Sequence, residues 1–271
     1  MNMLSLRTIK TYLFSLMLII TLTLLWSVSV YGNEKKTSAS NHAQQVKFKA
    51  RADDNFMLTA DYYAGTTRAG GVIVLHDCKT DRSRYNAMAN ALFQRGLHTL
   101  TLDLRGYGAS VSPEFSRDII KQNATDLVSY QSEMALLTTY WQDDLVAAYQ
   151  FLRSKVDKNQ GIAIVTSGCS AAYGVALAGK ILLNSIVMIT PQMTYADKER
   201  YKNLIDIPSY FITSAHHMES DQVAQELFAW NGSKESKIQT FKGSRYGYYL
   251  IAREQSLIDD ISQWIDSTVT K

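Results

Sequence analysis

The 271-residue sequence predicts an α/β domain with a mostly parallel sheet and helices on both of its faces. Three observations carry that expectation. Continuous apolar runs such as Gly70–Asp77 and Ile162–Val165 suit strands buried on both faces of a parallel sheet. From residue 70 onward such runs alternate strictly with segments of helical period. Within Gly161–Leu177 one run meets very small residues, Thr166-Ser167-Gly168-Cys169-Ser170-Ala171-Ala172, before a helical pattern begins. There a buried strand turns sharply into a helix.

The elements follow in order. Residues 11–33 carry no charge and are rich in Leu, Ile, Phe and Val, with Arg7 and Lys10 before them and Val30-Tyr31-Gly32 near their end. Residues 1–32 therefore read as a signal peptide cut after Gly32. The alternative is an uncleaved anchor over residues 11–31, the one way the chain would meet a membrane. Either way the folded part is exported. Residues 33–44 are small and polar, a flexible leader, and residues 45–271 form the domain. Residues 45–51 alternate as a half-exposed strand, Asp53-Asp54-Asn55 turns the chain, and residues 56–64 return, giving an antiparallel hairpin.

Next come the strand at 70–77, a helix over 82–95 closed by Gly96, and a strand over 97–104. Residues 111–127 read as irregular, and one helix is expected from about Val128 to Lys155. After the central strand and its sharp turn, strands are expected at 184–190, 208–213 and 237–241, the last followed by a helix over 250–268.

Removing residues 1–32 takes two of the 28 basic side chains and none of the 25 acidic ones, leaving a net charge of +1. Nothing in that balance calls for nucleic acid. His216 and His217 are adjacent but lack a third ligand at fixed spacing, so no metal is implied, and no cofactor. Asn123-Ala124-Thr125 and Asn231-Gly232-Ser233 match glycosylation triplets.

Three stretches together resemble the α/β-hydrolase fold: Val74-Leu75-His76-Asp77-Cys78, Leu102-Asp103-Leu104-Arg105-Gly106-Tyr107-Gly108-Ala109-Ser110, and the small-residue turn at 166–172. The second is close to the fold's usual D-x-R-G-x-G-x-S. With a Cys in both the first and the third, the chain looks most like the exported dienelactone-hydrolase-like branch. The short connection between 190 and 208 then implies a minimal lid or none.

The resemblance implies a nucleophile at the turn, an acid after the seventh strand and a His after the eighth. An ungapped register against a G-A-S-C-G-G elbow puts Gly168 at the nucleophile position; sliding by one puts Cys169 there, and by two Ser170. At the acid position stands His217 (or His216), with Asp221 a few residues late. Where Gly-x-x-His-Gly is usual, the chain has Gly243-Ser244-Arg245-Tyr246-Gly247, and a phenol is a poor base. His76, Asp77 and Cys78 occupy the oxyanion loop, and Asp77 puts a carboxylate where donors are needed. The same sheet would bring the loops of Cys78 and Cys169 together as a disulfide, closing a loop of about 90 residues worth about 4 kcal/mol by chain entropy.

Three readings of function follow. The first is a degenerate triad, Gly168, His217 and Tyr246, with the pocket kept for a small molecule or partner. The second is a serine ester hydrolase with Ser170 as nucleophile and His217 or His216 as base, steered by Asp221. The third is a purely structural envelope protein.

Overall fold

A computed structural model describes residues 42–51 and 55–269. The N-terminal apolar run, the position after Gly32, most of the leader and residues 52–54 of the first turn lie outside the described residues. Among the described residues no helix is long and apolar enough to cross a membrane.

The sheet has eight strands in the order β1-β2-β4-β3-β5-β6-β7-β8. β1 (Ala43–Lys49) and β2 (Met57–Tyr63) form the antiparallel hairpin, with Ala43 opposite Tyr63 and Lys49 opposite Met57. β2 also pairs antiparallel with β4 (His98–Leu102). β3 (Gly71–Leu75), β4, β5 (Ile162–Ser167), β6 (Ser185–Ile189), β7 (Ser209–Ser214) and β8 (Lys237–Phe241) run parallel to one another. The chain steps from β3 outward to β4 and then back past β3 to β5. This is a topological switch point, and ligands of open parallel sheets bind outside the carboxyl ends of the strands there.

Alternation along the strands builds two cores. Ile73, Leu75, Leu100, Leu102, Ile162, Ile164, Ile186, Met188 and Phe211 face one layer. It contains α4 (Trp141–Arg153), α5 (Ser170–Ala178) and α7 (Met218–Trp230). Val72, Val74, Ala163, Val165, Val187, Ile189, Tyr210 and Ile212 face α1 (Asn86–Gln94) and α9 (Gln255–Val269) on the other side. Each fully buried Leu or Ile contributes about 1.5–3 kcal/mol. Burial on both faces is why these strands read as unbroken apolar runs.

Three stretches depart from expectation. Residues 111–127 contain α2 (Arg117–Asn123), capped by Ser116 Oγ accepting from the Ile119 amide at 3.4 Å. No α2 residue is fully buried, so no apolar period marks it. The expected 128–155 helix is two helices, α3 (Leu127–Thr138) and α4, separated at Thr139–Tyr140. Thr139 Oγ1 donates to Leu136 O at 2.6 Å, competing for a carbonyl of the last turn of α3. The C-terminal helix is likewise divided into α8 (Tyr248–Ile251) and α9.

The connection from β6 to β7 holds only α6 (Tyr195–Tyr201) and a 3-10 turn at Lys202–Leu204. Asn231 uses its side-chain amide internally, donating to Tyr201 Oη at 2.6 Å and Ile207 O at 3.0 Å.

Candidate functional site

The carboxyl ends of β3 and β5 lie side by side, paired from Gly71 opposite Ile162 to Val74 opposite Val165. Beyond β5 the chain reverses at Gly168, whose φ of +54° lies in the left-handed region that favours glycine. Gly168 N donates to Ile189 O at 2.8 Å, and its carbonyl accepts from Ala171 N at 3.2 Å and Gln192 N at 3.1 Å. The turn is thereby held against β6 and the loop after it.

Ser170 opens α5 one residue beyond Cys169 and is fully buried. Its Oγ donates to Ser167 O and accepts from Ser167 N, both at 2.9 Å. The single hydroxyl proton is therefore spent on closing the turn.

Tyr246, in the loop after β8, brings its phenol to this turn. A Cβ built on Gly168 would lie 1.8 Å from Tyr246 Oη, so the phenol oxygen occupies the space a side chain there would need. The Cys169 amide donates to Tyr246 Oη at 3.2 Å, and Tyr246 donates to Gln192 Oε1 at 2.7 Å. Burial, reinforced by the nearby Asp77 carboxyl, pushes the phenol well above its usual range. Tyr246 is thus a neutral hydrogen-bond relay rather than a base. Lys79 Nζ lies 4.6 Å from the ring centre.

His217 stands at the N-cap of α7 with its ring against Tyr246, centroids 5.1 Å apart. Its Nδ1 is bonded to Ser220 Oγ at 2.5 Å. Asp221 shares only a main-chain bond with it, Asp221 N to His217 O at 3.0 Å, and Asp221 Oδ1 is buried without a partner among the described residues. Among the described residues, then, no hydrogen bond links the side chains of Ser170, His217 and Asp221. His216 is exposed, and its amide donates to Gly243 O. No group of three or more His, Cys, Asp or Glu side chains is placed to hold a metal among the described residues.

The loop after β3 is built from inward-facing polar groups. His76 is fully buried: its Nε2 accepts from Leu104 N at 3.1 Å, so the proton sits on Nδ1, which donates to Asp77 O at 2.7 Å. Burial lowers its pKa, and the ring is a neutral brace between the ends of β3 and β4. Asp77 accepts from Tyr85 Oη and Tyr248 N, each at 2.9 Å, and from Lys79 N at 2.8 Å. Gly247, φ +55°, packs so closely that a Cβ would lie 2.3 Å from Asp77 Oδ2. The Asp77 carboxylate therefore fastens the Tyr246–Tyr248 segment over the turn. Cys78 and Cys169 form the disulfide, with Cα atoms 5.9 Å apart.

Sequence reasoning missed Gln192, Thr190, Lys79 and Ser220. Thr190 has φ +44°, rare for a β-branched residue, and its Oγ1 accepts from Gly247 N at 2.8 Å. Nothing local marks Gln192, because its partner lies 54 positions away.

No protein-family model matches the chain, and no curated protein does. Solved structures do. A dienelactone hydrolase from Anabaena variabilis is 12% identical, with a TM-score of 0.63 over 84% of this chain and 99% of that one. A predicted CIB-like hydrolase from Thermoplasma acidophilum is 10% identical, with a TM-score of 0.61 over 83% and 98%. A Pyrococcus furiosus esterase is 14% identical, with a TM-score of 0.59 over 84% and 91%. At such identities the likeness speaks for architecture. With its eight-stranded, mostly parallel sheet, leading antiparallel hairpin and surrounding helices, this chain has the α/β-hydrolase fold.

Proposed function

We propose that this is an exported α/β-hydrolase-like protein that performs no acyl transfer at its elbow and uses that face to bind a small molecule or a partner. One observation carries the reading. Tyr246 Oη stands where a nucleophile's side chain would project from Gly168, and it accepts the Cys169 amide that would otherwise donate to an oxyanion. On this reading Gly168, His217 and Tyr246 occupy the three triad positions: Gly168 offers no nucleophile, and a phenol that burial holds neutral takes the place of the base. Ser170 has its proton committed to Ser167 O. Export rests on the uncharged run over residues 11–33 and agrees with the disulfide, since such bonds persist in oxidising compartments.

A fluorophosphonate probe tests the reading, because it reacts only with an activated serine. The purified protein is expected to remain unlabelled. Labelling that vanished in Ser170→Ala would overturn the proposal in favour of a serine hydrolase acting through Ser170, with a base recruited from His217 or His216.

A further inference from the structure

The disulfide across the elbow is more than a brace. Both cysteines are half-buried, at the solvent edge of the face where β3 and β5 end. The strands beneath them are joined by their own ladder from Gly71–Ile162 to Val74–Val165. Their loops are also tied by bonds that do not involve sulfur, from Tyr85 Oη and Tyr248 N to Asp77 Oδ2 and from Cys169 N to Tyr246 Oη.

The two sulfurs sit in unlike surroundings. Cys169 is the N-cap of α5, a nine-residue helix with no acidic side chain in its first turn, so a thiolate there is stabilised. Lys79 adds positive charge on the same side, its ammonium lying over the Tyr246 ring whose oxygen accepts the Cys169 amide. Cys78 follows Asp77, a buried carboxylate with three donors, which disfavours negative charge on Cys78. Exchange runs faster when the departing sulfur is the more acidic one.

We propose that Cys78–Cys169 is a thiol–disulfide exchange site for an external low-molecular-weight thiol. The incoming thiolate bonds to Cys78 Sγ, the Cys78–Cys169 bond breaks, and its electron pair leaves on Cys169 Sγ. A second thiolate attacks the external sulfur of the mixed disulfide and releases Cys78, which takes up a proton. In sum two thiols are oxidised to one disulfide while the bridge is reduced to two cysteines. The proposal goes beyond the binding role and holds whether or not the elbow carries out acyl chemistry.

The test treats the purified, oxidised protein with reduced glutathione in native buffer, quenches with acid at intervals, blocks free thiols and maps the cysteines by mass spectrometry. The expected result is steady loss of the bridge with the near-ultraviolet circular dichroism retained, and an early glutathione adduct on Cys78. Lys79→Gln, on an exposed side chain, is expected to slow the step about threefold. Three results would each overturn the assignment: a bridge that opens only when denaturant unfolds the chain, an adduct confined to Cys169, or a Lys79→Gln rate equal to wild type.

Discussion

At Gly168 a single missing atom decides what the site can do. Any side chain there meets both a left-handed φ and the Tyr246 oxygen. Gly168→Ala is expected to lower stability by about 2 kcal/mol or more in chemical denaturation. In a Tyr246→Ala background the same change should cost only its backbone share, about 1–2 kcal/mol. Equal costs in the two backgrounds would show that the phenol does not crowd the turn. Sequence reasoning reached Gly168 and Tyr246 from a motif register that favoured Gly168 and left Cys169 and Ser170 as alternatives. Position along a chain cannot say which of three consecutive residues has positive φ when the helix after the turn could begin at any of them.

Among the elements, the junction of β4, α2 and α4 is organised by the Asp103–Ser110 stretch. Arg105 is fully buried, bonded to Asp144 of α4 through Nη2 at 2.8 Å and Nε at 3.2 Å. Its guanidinium lies 4.3 Å from the Phe56 ring centre, 4.9 Å from Phe115 and 4.6 Å from Tyr140. Asp103 accepts from Ala109 N at 2.7 Å and Arg82 N at 3.0 Å, closing the turn. This motif, the strongest of the sequence resemblances, thus fixes loops and leaves the chemistry to others. Asp144→Ala takes the carboxylate away from a buried cation and should cost about 3–5 kcal/mol in denaturant titration. A loss below about 1 kcal/mol would mean that water or another anion replaces the carboxylate.

For the whole molecule, stability should fall with pH below about 6.5, the histidine value of an unfolded chain. His76 and His98 are both buried with burial lowering their pKa. His98 Nδ1 accepts from Gly65 N at 3.1 Å and sits 2.7 Å from Tyr62 Oη, while Nε2 donates to Thr66 O at 3.1 Å. A second proton would face the Leu104 amide at His76 and the Gly65 amide at His98, each a donor already bonded to that nitrogen. On acidification the unfolded chain binds protons that the folded one refuses, so each ring removes up to about 1.4 kcal/mol per pH unit until its own lowered pKa is reached. Urea midpoints between pH 7.5 and 5 test this, and His98→Gln should flatten the slope. Reducing the bridge tests the same balance in another way. Chain entropy assigns the bond about 4 kcal/mol, and the reduced protein should lose less, by the amount that α5 and Lys79 stabilise the Cys169 thiolate.

The sequence by itself determined the layers, the parallel sheet with its leading hairpin and the elbow's location, while the pairing of the two cysteines rested on the resemblance to the hydrolase sheet. The layers, the sheet and the elbow follow from periodicity, apolar runs and small-residue clusters, which are local in the chain. Only the tertiary structure decided which elbow residue turns the chain, where the Ser170 proton goes, and that Asp77, Thr190 and Gln192 hold Tyr246 over Gly168. Those bonds join residues 54 to 171 positions apart, apart from the Ser170 contact three residues back. Distant polar side chains carry no period, and their pairing exists only once the sheet has brought four loops to one edge.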